Sequence, residues 1–321
     1  MSSPYETPGI KEEPNPESEK EMRNSRILLS LVVVTVVGSL LYRFLRVGHL
    51  EQSSLMFIGL PTFLAFVLAT VPAGKSVTGR ILKGTTFFLL LLGILAVEGV
   101  ICIAMAAPLF WLVGIIIGLS CDSYRKRRSK RSQQLRCSVL IVLGVMSLEG
   151  VTDWLSFDRE ESVTRALVTD LSREEVLEAM SRGPELVGIT PPAFLTLGFP
   201  QVQEIEGGGV DIGSEWRIHF AGGEGLPGDL TAELVERDNT SLRYECTGDT
   251  SHIAHWLDWK SATWTIEETE TGGSTVKLEI EYVRLLDPAW YFKPLERYAV
   301  GEAAEFFLEQ TFSTSGDGTV D

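Results

Sequence analysis

Residues Ser274–Phe312 read STVKLEIEYVRLLDPAWYFKPLERYAVGEAAEFFLEQTF, and a change of period inside this stretch decides the fold of the C-terminal half. As far as Arg284 the apolar positions alternate. Val276, Leu278, Ile280 and Tyr282 make one face, and Lys277, Glu279 and Glu281 the other, as in a strand of an antiparallel sheet with one buried and one wet face. After Asp287-Pro288 the spacing lengthens. Leu295, Tyr298, Ala299, Ala303, Phe306, Phe307 and Phe312 form a broad apolar stripe on a helix over 291–312, with Pro294 placed in its first turn. A long amphipathic helix that follows a curved antiparallel sheet has one place to bury its stripe, across the concave face, and that arrangement tends to leave a cavity between the two.

Further strands precede this pair. Ser162–Val168 reads as a strand, and Ser172 with Glu175 forms a capping box that opens a helix ending at Gly183-Pro184, with Leu171 and Val176 as its hydrophobic staple. Strands are then expected at Gln201–Glu206, Ser214–Phe220, Asp229–Glu236, Ser241–Cys246 and Ala262–Glu268, separated by Gly207-Gly208-Gly209, Gly222-Gly223, Asp238-Asn239 and Gly272-Gly273. The order is strand, helix, six strands, long helix.

This order resembles the START-like superfamily, the helix-grip fold of polyketide cyclases, lipid-transfer domains and the birch pollen allergen group. The resemblance covers residues 160–312. It is carried by the first strand followed by Ser172-Arg173-Glu174-Glu175-Val176, the glycine turns before Trp216-Arg217-Ile218, and the passage Arg284-Leu285-Leu286-Asp287-Pro288-Ala289-Trp290-Tyr291-Phe292 into the closing helix. It implies an internal apolar cavity and a hydrophobic ligand. It carries over no catalytic residue.

The N-terminal half has a different character. Residues 1–25 are polar and proline-containing and read as a disordered tail, and the polar residues 313–321 at the other end read as a loose tail. Between 26 and 157 lie apolar runs that predict a multi-pass α-helical membrane region of four or five helices, at about 27–46, 55–72, 84–104, 106–121 and 137–157. Thr85–Cys121 contains one charge, Glu98, and is too long for a single span of a hydrocarbon core of about 30 Å, so a turn is expected at Pro108. Glu98 faces either a partner within the bundle or water near the outer end. The fifth run either spans, placing Trp154 and Phe157 in an interfacial belt, or lies along the interface.

Residues 1–150 hold 16 Lys and Arg against 10 Asp and Glu, a net of +6, whereas residues 151–321 hold 12 against 33, a net of −21. The acidic half lacks the positive field that nucleic acid requires, which excludes that partner. The basic segment 122–136 is expected to be cytoplasmic, together with the N-terminus. A fifth span then makes the acidic domain extracytoplasmic, and its absence leaves that domain inside.

Chemistry is sparsely signposted. The four cysteines, Cys102, Cys121, Cys137 and Cys246, show no metal-ligand spacing, and no metal or cofactor is expected. No GxSxG elbow is present, and Gly207-Gly208-Gly209 lacks the helix and lysine of a phosphate loop. His252 and His255, read as strand residues, fall on opposite faces. The expected ligand contacts are Trp216, Trp264, Tyr282, Tyr298 and Phe306, with His219 and His252 as candidate polar groups of the pocket. The leading expectation is a membrane-anchored module that binds a lipid or other hydrophobic small molecule. The alternatives are a cyclase-like enzyme and a sensory or structural membrane protein with a protein partner.

Overall fold

The structure is a computed structural model that describes residues 37–38, 41, 54–70, 76–95, 100–127, 130–184, 189, 191–196, 198–222, 226–270 and 272–313. Both expected tails, apart from Ser313, and Glu98 lie outside these residues, as does nearly all of the expected first span, 27–46.

The N-terminal half is helical. A π-helical turn, Leu55–Gly59, leads into α1 (Leu60–Thr70), followed by α2 (Val77–Leu95), α3 (Val100–Arg127) and α4 (Lys130–Met146). Leu64, Leu68, Ile81, Phe88, Phe110 and Ile117 bury one stripe from each of α1, α2 and α3, and Leu143 of α4 joins them. The rings of Phe88 and Phe110 stack at 6.5 Å. Asp122 near the end of α3 accepts hydrogen bonds from the Val77 and Thr78 backbone N–H groups and from the Ser76 and Thr78 hydroxyls. It thereby satisfies the open donors at the start of α2 from a neighbouring helix.

Gly118 sets the spacing of this pair, because a Cβ there would sit 2.6 Å from Thr78 Cα. With Gly114 it makes a G-x-x-x-G face, the small-residue pattern that lets apolar helices approach closely. Gly118→Leu is expected to force α2 and α3 apart, costing about 1–3 kcal/mol as overpacking. A thermal melt of the detergent-solubilised chain should show an earlier transition; an unchanged midpoint would mean that the contact does not set the helix spacing.

The sequence reading needs two corrections here. Pro108 lies inside α3 and makes no turn; α2 is described as far as Leu95 and α3 from Val100. The basic segment, read as a loop, is helical at 125–127 and again from Lys130. Among the described residues one helix, Ile101–Ser123, has the length and apolar composition to cross a membrane, where four or five were expected. The others are short or begin with charges: α2 carries Arg80 and Lys83, and α4 opens on Lys130 and Arg131.

The C-terminal half is a seven-stranded antiparallel sheet in the order β1-β7-β6-β5-β4-β3-β2. Its strands are β1 (Glu160–Thr169), β2 (Gln201–Gly207), β3 (Glu215–Ala221), β4 (Gly228–Arg237), β5 (Ser241–Asp249), β6 (Leu257–Glu268) and β7 (Ser274–Arg284). The first strand returns to pair with the last, so the hairpin run from β2 to β7 closes against β1. Register shifts in β2, β4 and β6 mark bulges, which bend strands and give the sheet its curl.

Between β1 and β2 lies α5 (Arg173–Arg182), opened by the capping box of Ser172 and Glu175. It ends at Gly183, whose φ of +76° and whose approach to the Trp216 ring both require the missing side chain. The closing helix α6 (Ala289–Ser313) lies across the concave face and packs most closely on β1 and β7. The fold is therefore a sheet gripping a C-terminal helix, as the alternation and the stripe of Ser274–Phe312 predict. Pro294 falls in the second turn of the helix and not the first, since α6 begins at Ala289, two residues earlier than expected.

The two halves meet at one joint. Glu149, just past α4, accepts a hydrogen bond from the Ala289 N–H at 2.7 Å, and its carbonyl accepts one from Ser54 N–H at 2.9 Å. Tyr291 donates its hydroxyl to the Met105 carbonyl at 2.8 Å. Ile101 and Leu109 of α3 pack with Trp256, Leu286 and Phe292 in a buried cluster that includes Phe199 and Ile253 at its edge. From this joint α3 runs about 42 Å away and α4 returns, so the basic segment lies at the opposite end of the bundle.

Candidate ligand cavity

The buried side of α6 follows a row with four-residue steps: Phe292, Glu296, Val300, Ala304, Leu308 and Phe312. Its middle is small. Ala299, Val300, Ala303 and Ala304 do not fill the depth between helix and sheet, and a cavity of about 320 Å³ remains there. The sheet side is built by alternate residues: Trp216, Ile218 and Phe220 of β3, Leu230 and Ala232 of β4, Tyr244 and Cys246 of β5, and Trp259 and Trp264 of β6. The segment between α5 and β2 covers one side with Ile189, Pro191, Leu195 and Phe199.

The wall is apolar for a structural reason. Most of its few polar groups are committed to the protein: Gln201 Nε2 donates to the Leu195 and Phe199 carbonyls, Ser261 donates to Glu281, Thr311 to the Phe307 carbonyl and Tyr244 to the Gly209 carbonyl, whereas the buried Trp259 indole N–H has no partner among the described residues. Among the described residues the wall holds no Asp, Glu, Lys, Arg or His. Burial pushes up both the Tyr244 hydroxyl and the Cys246 thiol, which keeps them neutral.

Of the residues singled out from sequence, Trp216, Trp264 and Phe306 line the cavity. Tyr282 and Tyr298 do not. Tyr282 is buried beyond Trp259, its ring 6.3 Å from that indole, and Tyr298 lies on the exposed side of α6 with its edge against Phe194 at 5.0 Å. The helical stripe is narrower than the sequence pattern suggests, and Tyr298 falls just outside it.

His219 also misses the wall. It alternates with the lining residues Ile218 and Phe220, so it faces the convex side, where Nδ1 is 2.6 Å from Asp229 Oδ1. His252 and His255 sit on a 3-10 turn rather than a strand, which brings their rings to 5.1 Å. His252 packs on the edge of Trp256 and lies off the wall. The cover segment was missed altogether. Its signal was a loop too apolar for its place, with Ile189, Leu195 and Phe199 among prolines, since surface connections are usually polar.

A second feature lies under the joint-side end of α6. Arg284 and Asp287 are both fully buried and paired at 2.5 Å, and Asp287 also holds Arg159 at 2.5 Å. Glu161 of β1 pairs with Lys293 and Arg297 of α6 at 2.5 and 3.1 Å. Glu296, only 4% exposed, has no side-chain hydrogen-bond partner for either carboxyl oxygen among the described residues. Burial is the main cause that pushes its carboxyl up to about 9. The Arg284 charge opposes this, but Asp287 and Glu161 add to it. Tyr282 is raised as well, by burial and then by Glu296 and Glu161.

No family model matches the chain, and no curated protein matches it. Solved structures do show a likeness over part of the chain. Truncated norcoclaurine synthase from Thalictrum flavum is 15% identical, covering 51% of this chain and 99% of that one, with a TM-score of 0.36. The protein Ara h 8.0201 is 16% identical over 48% of this chain and 99% of its own, with a TM-score of 0.33. The di-domain ARO/CYC BexL from the BE-7585A biosynthetic pathway is 12% identical over 64% of each chain, with a TM-score of 0.36.

Proposed function

We propose that this protein is a bilayer-anchored module that holds a lipid or another apolar small molecule in the cavity between its sheet and α6. The observation that carries this reading is the wall itself: a hollow of about 320 Å³, within the range of small-molecule sites, without a charged side chain among the described residues and with one unpaired donor, the Trp259 indole N–H. Such a wall rewards an apolar ligand. It offers no charged group to bind a polar one or to move a proton, so the observations favour binding over cyclase-like catalysis.

The anchor rests on the bundle's outer surface. A bundle in water buries one stripe per helix and turns charge outward. Here Phe66, Leu90, Leu112, Leu119, Ile141 and Val145 face outward and are exposed, as suits a hydrocarbon surrounding. A multi-pass region in the cell membrane is consistent with this, with 122–136 cytoplasmic and the acidic domain outside. In support, the joint lies at the far end of the bundle from the basic segment.

Filling the hollow tests the ligand reading. Ala303→Trp puts a large ring where the helix is now thin, and it is expected to weaken uptake of the apolar fluorophore diphenylhexatriene about tenfold or more. The chain should remain folded by circular dichroism. Equal fluorescence enhancement by the filled variant and the parent would refute a binding role for the cavity.

A further inference from the structure

We infer that the cavity exchanges its ligand with the bilayer through the seam where α3 meets the domain, and not through the solvent-facing side. This rests on the binding role proposed above. Phe199, Ile253 and Trp256 belong at once to the cavity wall and to the apolar cluster formed with Ile101 and Leu109. One end of the hollow is thus separated from α3 by a single layer of side chains. Among the described residues that helix is the one with the length and apolarity to cross a bilayer. At the opposite end, Val176, Leu308 and Phe312 are buried together in the core beneath α5.

The surface around the seam suits the same route. Trp154, Phe157 and Trp290 are 82%, 68% and 51% exposed. Trp290 follows Ala289, which is bonded to Glu149, and Trp154 and Phe157 lie on the connection from Glu149 to β1. The three aromatics are therefore close along the chain to the joint. Ile141 and Val145 of α4 and Leu148 just past it are exposed as well. Large aromatics are rarely left this open in water, and tryptophan is favoured at the level of lipid headgroups. The occupant this collar fits is the headgroup–acyl boundary of the bilayer, which would bring the seam level with lipid chains.

The test uses the full chain reconstituted in phosphatidylcholine vesicles, with diphenylhexatriene as probe. W154S/F157S removes most of the collar and leaves the cavity wall intact. The transfer rate from probe-loaded vesicles should fall about tenfold, whereas equilibrium uptake by the detergent-solubilised chain should match the parent. A transfer rate equal to that of the parent overturns the seam route. A parent protein that takes up no probe in either format overturns the binding role instead. W290S, which touches neither the wall nor the Glu149 bond, should slow transfer in the same direction, and a faster rate would count against the seam.

Discussion

Asp287→Ala should destabilise the C-terminal domain more than any other single change considered. Arg284 is fully buried, and its Nη1 donates to Asp287 and to the Leu286 carbonyl. Removing the carboxylate strands a guanidinium in the interior and also releases Arg159. Breaking a buried pair from one side costs about 3–5 kcal/mol, far more than the pair contributes against an apolar replacement. The result should appear as a thermal or urea midpoint well below that of the parent. A double variant, D287A/R284M, should recover much of the loss, because it removes the stranded charge as well. If the single variant melts within a degree of the parent, the guanidinium has another counter-charge and the account of this cluster is wrong.

Glu296→Gln should do the opposite and stabilise the protein, with an effect that grows with pH. The sign follows from the raised carboxyl. The unfolded chain ionises Glu296 near its ordinary value of 4.5, whereas the folded chain holds the proton up to about 9. Between those values folding must retain a proton that the unfolded state has released, so the parent loses stability as pH rises. Glutamine carries no such linkage. The two proteins should be equally stable near pH 4.5 and differ by about 3 kcal/mol near neutrality, at 1.36 kcal/mol per pH unit. The gap should widen further and level off above about 9. Melts of both proteins at a series of pH values measure it. A variant less stable than the parent at pH 7 would show that Glu296 is ionised and bound to Arg284.

The same cluster shows where the sequence could be read and where it could not. The period-two run of β7 is legible because each inward residue from Val276 to Tyr282 is apolar. The next inward position is Arg284, and nothing in the local pattern separates a buried arginine from a strand that has ended. Likewise Glu296 interrupts the apolar row of α6, so the stripe read from sequence begins at Leu295 and shifts toward Tyr298. Trp216, Trp264 and Phe306 were legible as wall residues because aromatics on an inward face have little else to do. The histidines were not. His219 differs from its neighbours only by one step of alternation, and His252 by a turn whose capping residue, Ser251, looked like any other serine. In the bundle, length and hydropathy locate apolar runs, but they do not say where a helix bends, and Pro108 is accommodated within α3.

Helix α6 starts on the bundle and continues under the cavity. It is 25 residues long, a rod of about 38 Å, seated at one end on α3 through Tyr291 and Phe292. Its midsection forms one wall of the hollow. A stiff strut held in this way cannot be pushed outward by a bulky guest without transmitting leverage to its seat. A guest that displaced the midsection of this helix would therefore load the contacts of Tyr291 and Phe292 with α3.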